Sequence, residues 1–452
     1  MLRDLFVFAV VVLLLPYAMR RPFIGLILFS WLAYMRPQDL CWGFAREMRF
    51  SFLVAAAMVV GFFAYEAGRR RFTRWDSRAR LMVALLVFIT VGFLFARDQG
   101  KYALRYYFEF LKIVLISLFT IGQVTDRKRL RILLWTICGC FAFYGFKGGL
   151  VGVLTGGGRI LRGPGGMLED NNDFALALVM NVPLLFYLGR SEGKRGLRIL
   201  CDVGVALTIV TIFLTHSRGA AVALTATLLV MAWRSGNLLK AIGGLALGAL
   251  AFVAFAPQHV LDRLGTLEQG TQEGSAATRI RAWTVALRMI EANPVLGVGI
   301  RNFREHWHDH SGDLVENRGR DFAYVAHNSY LQIWAEGGTT SFACYMGLLL
   351  SSFLACRKVR RWARGRPELN WAGIYARMLE ASLAGFGVGS FFLNRGHFDL
   401  VYHFIALVSC MVYVAHTELV ALAVPSQEQA RAPSGVGVRL RPAFAGAGLQ
   451  RW

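Results

Sequence analysis

Apolar segments long enough to cross a lipid bilayer recur along almost the whole chain, and this recurrence restricts the fold more than any other feature. Of the 452 residues 56% are hydrophobic, and the mean hydropathy is +0.46, which is too much apolar surface for a protein surrounded by water. The segments lack the short alternating pattern of a membrane β-barrel, and in lipid their backbone polar groups must bond internally, so we predict α-helices. The predicted spans are residues 5–19, 22–35, 49–65, 79–96, 104–123, 130–155, 172–188, 198–215, 219–233, 239–256, 326–355, 374–392 and 400–420.

The fold class that follows is all-α, a polytopic transmembrane helical bundle with about 12 spans, since a crossing needs about 20 apolar residues. The segment 22–35 is short and lies between Pro22 and Pro37, which suits a half-helix or a re-entrant piece. The predicted regions are N-terminal transmembrane helices, one large polar loop with short amphipathic helices, C-terminal transmembrane helices and a disordered tail. Their bounds are 1–256, 257–325, 326–420 and 421–452.

Basic residues cluster in alternate connections, and this distribution predicts which connections face the cytoplasm. The basic connections are 69–80, 127–131, 190–198 and 357–366. The connections predicted to face outward are 97–103, 156–171, 216–218, 257–325 and 393–399. An even number of crossings places both termini and the tail inside, and the apolar N-terminus lacks a small-residue cleavage site, which predicts an uncleaved membrane segment.

The net charge of +22 does not indicate a nucleic-acid partner, because the basic residues lie in short connections beside the spans, where they meet lipid headgroups. The seven cysteines form neither a metal-ligand spacing nor a disulfide framework, and we predict that they are packing residues.

The turn Thr215 to Gly219 is a tight outward connection that holds Arg218 at the membrane face. One interpretation is an arginine that reaches from the apolar region to the headgroups. The other is that Arg218 binds an anionic group, because a planar guanidinium fits phosphate oxygens with two hydrogen bonds.

Residues 277–290 repeat apolar positions at helical spacing and predict an amphipathic helix in the long polar loop. Arg279 and Trp283 are four residues apart and share a face, so they form either a surface cation–aromatic pair or a site in which Arg279 points toward Arg218. The segment 293–299 then ends the helix and turns the chain.

The long loop ends at His327 and Asn328, directly before the next span. A histidine at a membrane boundary can accept a proton near neutral pH. The alternative interpretation is a structural role for His327 at the start of the helix. Asn328 can orient the ring or a sugar hydroxyl, and Glu336 follows on the same predicted helix.

The glycine-rich segment 156–166 predicts a flexible outward loop that can close over a phosphate through Arg162, and Lys147 at the outer end of its span is a second phosphate contact. The loop lacks the lysine and hydroxyl terminus of a nucleotide-binding P-loop.

Two groups of residues are alternative metal clusters, namely His306, His308 and His310 with Asp309, and Glu169 with Asp170 and Asp173. Helix capping by Asn171 or Asp173 explains the second group, and we predict no metal cofactor.

The order of these features resembles the O-antigen ligase and polymerase family of bacterial inner-membrane proteins. The resemblance rests on many spans, Ser217-Arg218-Gly219, a large late loop carrying Arg279 to Trp283, and His327-Asn328 at its end. The segments 20–25, 143–149 and 169–172 look more narrowly like the branch of O-glycosylation ligases associated with exosortase systems.

The resemblance implies transfer of a glycan from undecaprenyl diphosphate to an acceptor in the periplasm, which in the ligase branch is lipid A-core oligosaccharide. His327 would then be the base, and Arg218 with Arg279 would neutralise the departing diphosphate without a metal, which predicts inversion at the anomeric carbon. Arg162, Lys147 and Asn328 would be further substrate contacts.

Other activities remain open at this point. A protein O-glycosylation ligase or an O-antigen polymerase differs only in its acceptor. A transporter of lipid-linked glycans would instead need charges at mid-membrane, for which Glu109 and Lys112 are the best candidates, although an ion pair within one helix explains them as well.

Overall fold

The computed structural model describes residues 1–158, 160–236, 272–312 and 323–423, and within these ranges the chain is helical without a β-strand. The helices begin and end as follows: α1 Leu2–Arg20, α2 Pro22–Tyr34, α3 Phe50–Gly61, α4 Ser77–Leu94, α5 Lys101–Gln123, α6 Arg127–Leu154, α7 Asn171–Ser191, α8 Arg195–Leu214, α9 Arg218–Arg234, α10 Gln272–Ala292, α11 Trp307–Ser311, α12 Ser329–Ala363, α13 Asn370–Gly389 and α14 Asp399–Ala423.

Seven of the described helices are long and apolar enough to cross a membrane, so the chain is a multi-pass membrane protein as the composition predicts, and its described part is all-helical. These are α1, α4, α6, α7, α8, α12 and α14. Helix α2 has 13 residues, which agrees with the short segment in the sequence, and α3 continues into a π-helical turn at Phe62–Glu66. The predicted span 239–256 and nearly all of the predicted tail lie outside the described residues. The total of 12 spans therefore stays a prediction.

The core is centred on α7, of which 83% of the most apolar window is buried inside the protein. It packs against α6, α8, α9 and α13, while α4 packs on α12 and α5 on α14. The first three helices pack mainly on one another around a separate apolar cluster that includes Val11, Leu32 and Val54. All seven cysteines are free and buried, which confirms their prediction as packing residues.

Side-chain caps fix where several helices begin. The carboxylates of Asp76, Asp126 and Asp170 and the side chains of Ser217 and Asn328 accept backbone N–H bonds at the starts of α4, α6, α7, α9 and α12. Each cap satisfies N–H groups that have no partner inside the helix.

Helix α12 is broken at Gly338, where φ is +70° and ψ is 179°, so the span predicted as one helix over 326–355 consists of two pieces. The loop after α10 inserts at this break. The N–H groups of Val298 and Gly299 donate to the carbonyls of residues 335 and 336 at 2.9 Å, and Thr339 donates to Pro294 at 2.8 Å. A Cβ at Gly338 would overlap the Val295 carbonyl, so this position needs glycine. Broken helices in lipid are tolerated where other protein groups satisfy the freed backbone, as here.

The predicted outward connections meet at one end of the bundle. Asp98 lies beside the long loop, because its backbone N–H donates to the Asn302 side chain at 2.7 Å. The glycine-rich connection lies beside the end of α8, because the Ile160 N–H donates to the Leu214 carbonyl at 2.9 Å. The basic connections meet at the other end, where Arg131 pairs with Glu192. The sequence therefore predicts which connections meet at each end of the bundle. The side of the membrane that each end faces stays a prediction.

Candidate functional site

Three helix N-termini converge at the end of the bundle where the predicted outward connections meet. The Asn171 side chain at the start of α7 donates 2.7 Å to the Thr215 carbonyl, which lies just before α9. The charge of Asp170, which caps α7, acts on His327 before α12. Since each helix N-terminus carries a partial positive charge, this convergence favours an anionic ligand.

The connection after α13 joins the same three helices. Arg395 forms an ion pair with Asp173 in α7, and its backbone N–H donates 2.9 Å to the Ser329 hydroxyl at the start of α12. The same connection approaches α9, because a Cβ at Gly219 would lie 2.8 Å from the Cβ of Phe392. The rim of the site is therefore built from four parts of the chain that are distant in sequence.

His327 adopts a left-handed backbone conformation, with φ of +46°, which residues other than glycine rarely adopt. Such strained conformations are concentrated at functional sites. Burial and then the positive charge of Arg279 lower the pKa of His327 below its ordinary value, while part of the residue remains exposed. The imidazole is therefore neutral at pH 7 and able to accept a proton.

Arg279 lies beside His327 because α10 packs against the start of α12. The predicted amphipathic helix is present, and its buried face includes Ala282, Val285 and Met289, which form an apolar cluster with Ala326. The indole N–H of Trp283 donates 3.0 Å to the Ala326 carbonyl. Trp283 therefore fixes α10 to the segment before α12, and the charge of half-buried Arg279 acts on His327.

Arg218 is the first residue of α9, one of the three helix starts at the rim, and its side chain is exposed. The preceding Ser217 is buried and caps the helix by accepting the Ala220 N–H at 3.3 Å. His216 has a positive φ of +55°, which makes the tight turn that the sequence predicts.

The other predicted site residues fall into different environments. Asn328 is buried, and its side-chain oxygen accepts the N–H groups of Tyr330 and Leu331 at 2.9 and 3.1 Å, so this oxygen caps α12. Arg162 is exposed and its backbone pairs with that of Asp170, which brings it to the rim. Lys147 is exposed on α6 next to Gly148, which contacts Thr211 about one helical turn below Thr215.

Sequence reasoning missed two charges that act on His327. The sequence predicts helix capping by Asn171 or Asp173, which is wrong, because Asp170 is the residue that caps α7. Asp170 is otherwise predicted only as an alternative metal ligand, and Arg304 has no distinguishing context. Only the fold brings Asp170, Arg279 and Arg304 around the imidazole. Arg395 had a weak signal, since it is a charge in a short connection between two apolar spans.

Glu336 has a different position from the one that its helical spacing suggests. It is buried and accepts a 3.3 Å hydrogen bond from Gln332 and backbone N–H bonds from Arg301 and Phe303. The carboxylate therefore holds the loop that inserts at the break in α12.

Within the described part of the chain, one group of histidine and acidic side chains has the spacing for a metal ion. The ligand atoms of His306, Asp309 and His310 lie within 4.8 Å of one another. However, Asp309 forms a 2.6 Å ion pair with Arg97, and the Nδ1 of His310 is 2.9 Å from the His306 carbonyl. These contacts give the group a structural role in fixing α11 to the connection before α5.

Comparisons with known proteins divide the chain in two. Residues 203–346 match a family model described as O-antigen ligase, and residues 2–192 match a family of unknown function. No curated protein matches the chain. The first match contains Arg218, Arg279 and His327, and the second contains Lys147, Arg162 and Asp170.

Proposed function

We propose that the chain is a glycosyltransferase acting on a lipid diphosphate donor, because residues 203–346 match a family model described as O-antigen ligase. It moves a glycan from undecaprenyl diphosphate to lipid A-core oligosaccharide at the periplasmic face of the bacterial inner membrane. The observation that carries this proposal is the meeting of His327 and Arg279 beside three helix N-termini at one end of the bundle.

In the proposed reaction His327 is the general base. The neutral imidazole takes the proton of the acceptor hydroxyl as the hydroxyl oxygen attacks the anomeric carbon. The new glycosidic bond forms on the face opposite the bond to the diphosphate, which breaks with its electron pair, so the configuration inverts. The left-handed backbone at residue 327 and the bond from Trp283 to Ala326 support the fixed placement that a base needs.

The departing diphosphate gains negative charge, and arginines at the rim neutralise it. Arg218 lies at a helix N-terminus, where its charge adds to the helix dipole, and the charge of Arg279 acts on the proposed base. Arg162 and Lys147 are proposed as outer contacts on the donor. For Asn328 the proposed contact is through its side-chain NH2, since its oxygen caps α12.

The proposal gives a role to the region of unknown function. The start of α7 lies in that region, and it supplies Asp170 beside His327 and Asp173 as the partner of Arg395. The site is therefore proposed to be shared between both matched regions, which predicts that neither region is active without the other.

A protein O-glycosylation ligase or an O-antigen polymerase would use the same donor chemistry with another acceptor. A transporter has less support, because Glu109 and Lys112 form a 2.8 Å ion pair within α5 and are both about half exposed, at 43% and 51%. Such a pair explains the charges without a transport role.

The direct test incubates purified protein with undecaprenyl diphosphate-linked glycan and separate acceptors, namely lipid A-core, a periplasmic glycoprotein and a growing glycan. Product on lipid A-core supports the main proposal, and product on only another acceptor would assign the protein to another branch. Movement of the donor across the bilayer with no new glycosidic bond would replace the enzyme proposal by a transporter.

A further inference from the structure

A positively charged cavity lies at the opposite end of the bundle from His327. It has a volume of about 620 Å³ and is lined by Arg69, Arg70, Arg71, Arg74, Gly122, Thr125 and Tyr413, which we call the arginine pocket. The pocket lies beside the start of α4, whereas the far end of α4 contacts the loop at 296–299. With a rise of about 1.5 Å per residue, α4 separates the two sites by about 27 Å.

Two of the arginines have defined positions in the wall of the pocket. Arg74 donates to the carbonyls of Gly122 and Val124 at 3.2 and 2.8 Å, and its guanidinium lies 3.9 Å from the centre of the Tyr413 ring. Arg70 donates 3.2 Å to the Thr125 hydroxyl. A guanidinium has five N–H donors, so these bonds fix each group and leave donors for a ligand.

The backbone is shaped to hold the arginine-bearing segment against α5. A Cβ at Gly122 would overlap the carbonyls of Arg71 and Phe72, so glycine allows the two backbones to meet. Phe72 then packs with Phe62 and Phe119 at ring distances of 5.7 and 5.3 Å. The pocket is thus part of the packed fold.

The charges around the pocket are unbalanced. Among the described residues, the one acidic partner of its four arginines is Glu66, 3.7 Å from Arg70. Arg129 on α6, which pairs with Asp126, also interacts electrostatically with Arg70. In the described surroundings five arginines therefore face two carboxylates. Like charges held this close are stabilised by an anion, and phosphate oxygens match the guanidinium geometry.

The segments that form the pocket are rich in exposed aromatic side chains. Tyr413, at 40% exposure, lines the pocket, and three more exposed aromatic side chains flank the arginines in the sequence, namely Phe63 at 64%, Tyr65 at 57% and Trp75 at 58%. Aromatic rings are typical of the membrane interface, and basic pockets between spans bind anionic headgroups there.

We infer that the arginine pocket binds the phosphate headgroup of an anionic phospholipid in the leaflet away from His327. The lipid bridges the connection before α4, the end of α5 and α14, and it fixes these three helices relative to one another. This site is independent of the proposed glycan transfer.

The test uses delipidated full-length protein in neutral detergent and measures bound lipid by native mass spectrometry during titration with phosphatidylglycerol or phosphatidylcholine. We expect one tight phosphatidylglycerol site, which the double variant Arg70→Gln/Arg71→Gln weakens by about tenfold or more. The matched double variant Arg195→Gln/Arg364→Gln removes the same charge from exposed positions at the same end and should retain binding.

A fold control and a free-phosphate arm complete the experiment. Size-exclusion elution and the thermal midpoint must match those of the unsubstituted protein, and Arg71→Gln alone, at an exposed position, provides a milder variant. Glycerol 3-phosphate should compete only at far higher concentration than the lipid. Equal binding of both lipids, equal loss in both double variants, or glycerol phosphate binding as tightly as the lipid would each overturn the inference.

Discussion

The indole N–H of Trp283 donates a 3.0 Å hydrogen bond to the carbonyl of Ala326, the residue directly before His327. This bond connects the helix that carries Arg279 to the segment that carries the proposed base. It explains how a long polar loop places one arginine beside one histidine, since the tryptophan fixes the distance between them.

The first prediction concerns this connection. Trp283→Phe keeps an aromatic ring but removes the N–H donor, so the carbonyl of buried Ala326 loses its partner at a cost of about 1 kcal/mol. We expect glycan transfer to fall by about tenfold, because His327 and Arg279 lose their fixed separation. The matched change Trp233→Phe, at an exposed position at the end of α9, should leave transfer unchanged in the same assay. Equal rates in the two variants would contradict the connecting role.

The second prediction is a pair of opposite pH shifts. Arg279 lowers the pKa of His327 and Asp170 raises it, after the larger lowering effect of burial. Arg279→Gln should therefore move the acid limb of the transfer rate to higher pH, and Asp170→Asn, which retains a capping side chain, should move it to lower pH. The measurement is the pH profile of transfer at saturating donor. Shifts in the same direction, or none, would mean that His327 does not control the profile.

Much of the architecture could be predicted from the sequence, because burial in lipid imposes long apolar helices and because aspartate, serine and asparagine mark helix starts. The two-residue signal Gly337-Gly338 inside a span was present, yet its meaning depends on the distant loop that inserts there. The proximity of Asp170 to His327, and the pairing of Arg395 with Asp173, could not be predicted, since both depend on which helix ends meet in three dimensions.

The third prediction tests the broken helix. Gly338→Ala places a Cβ against the Val295 carbonyl at a positive φ, so the loop must leave the break, and we expect a loss of about 3 kcal/mol in the free energy of unfolding. Gly347→Ala lies in the same helix, and its Cβ would meet only the flexible Leu81 side chain at 3.3 Å. Thermal unfolding should separate the two variants clearly. A midpoint for Gly338→Ala equal to that of Gly347→Ala would be inconsistent with the inserted loop.

The fourth prediction concerns metal ions. We expect transfer at neutral pH to continue in excess chelator, because arginines and helix N-termini are proposed to neutralise the diphosphate. His306→Ala, which removes one member of the histidine cluster, should respond to chelator as the unsubstituted protein does. Strong inhibition that added metal reverses, and that His306→Ala abolishes, would instead make the cluster of His306, Asp309 and His310 a metal site.

The most direct measurement is glycan transfer by purified His327→Asn, with donor binding measured on the same sample. Asparagine tolerates the left-handed backbone at this position but cannot act as the base. The account predicts that transfer is lost while binding of undecaprenyl diphosphate-linked glycan is retained. Transfer at the unsubstituted rate would contradict it.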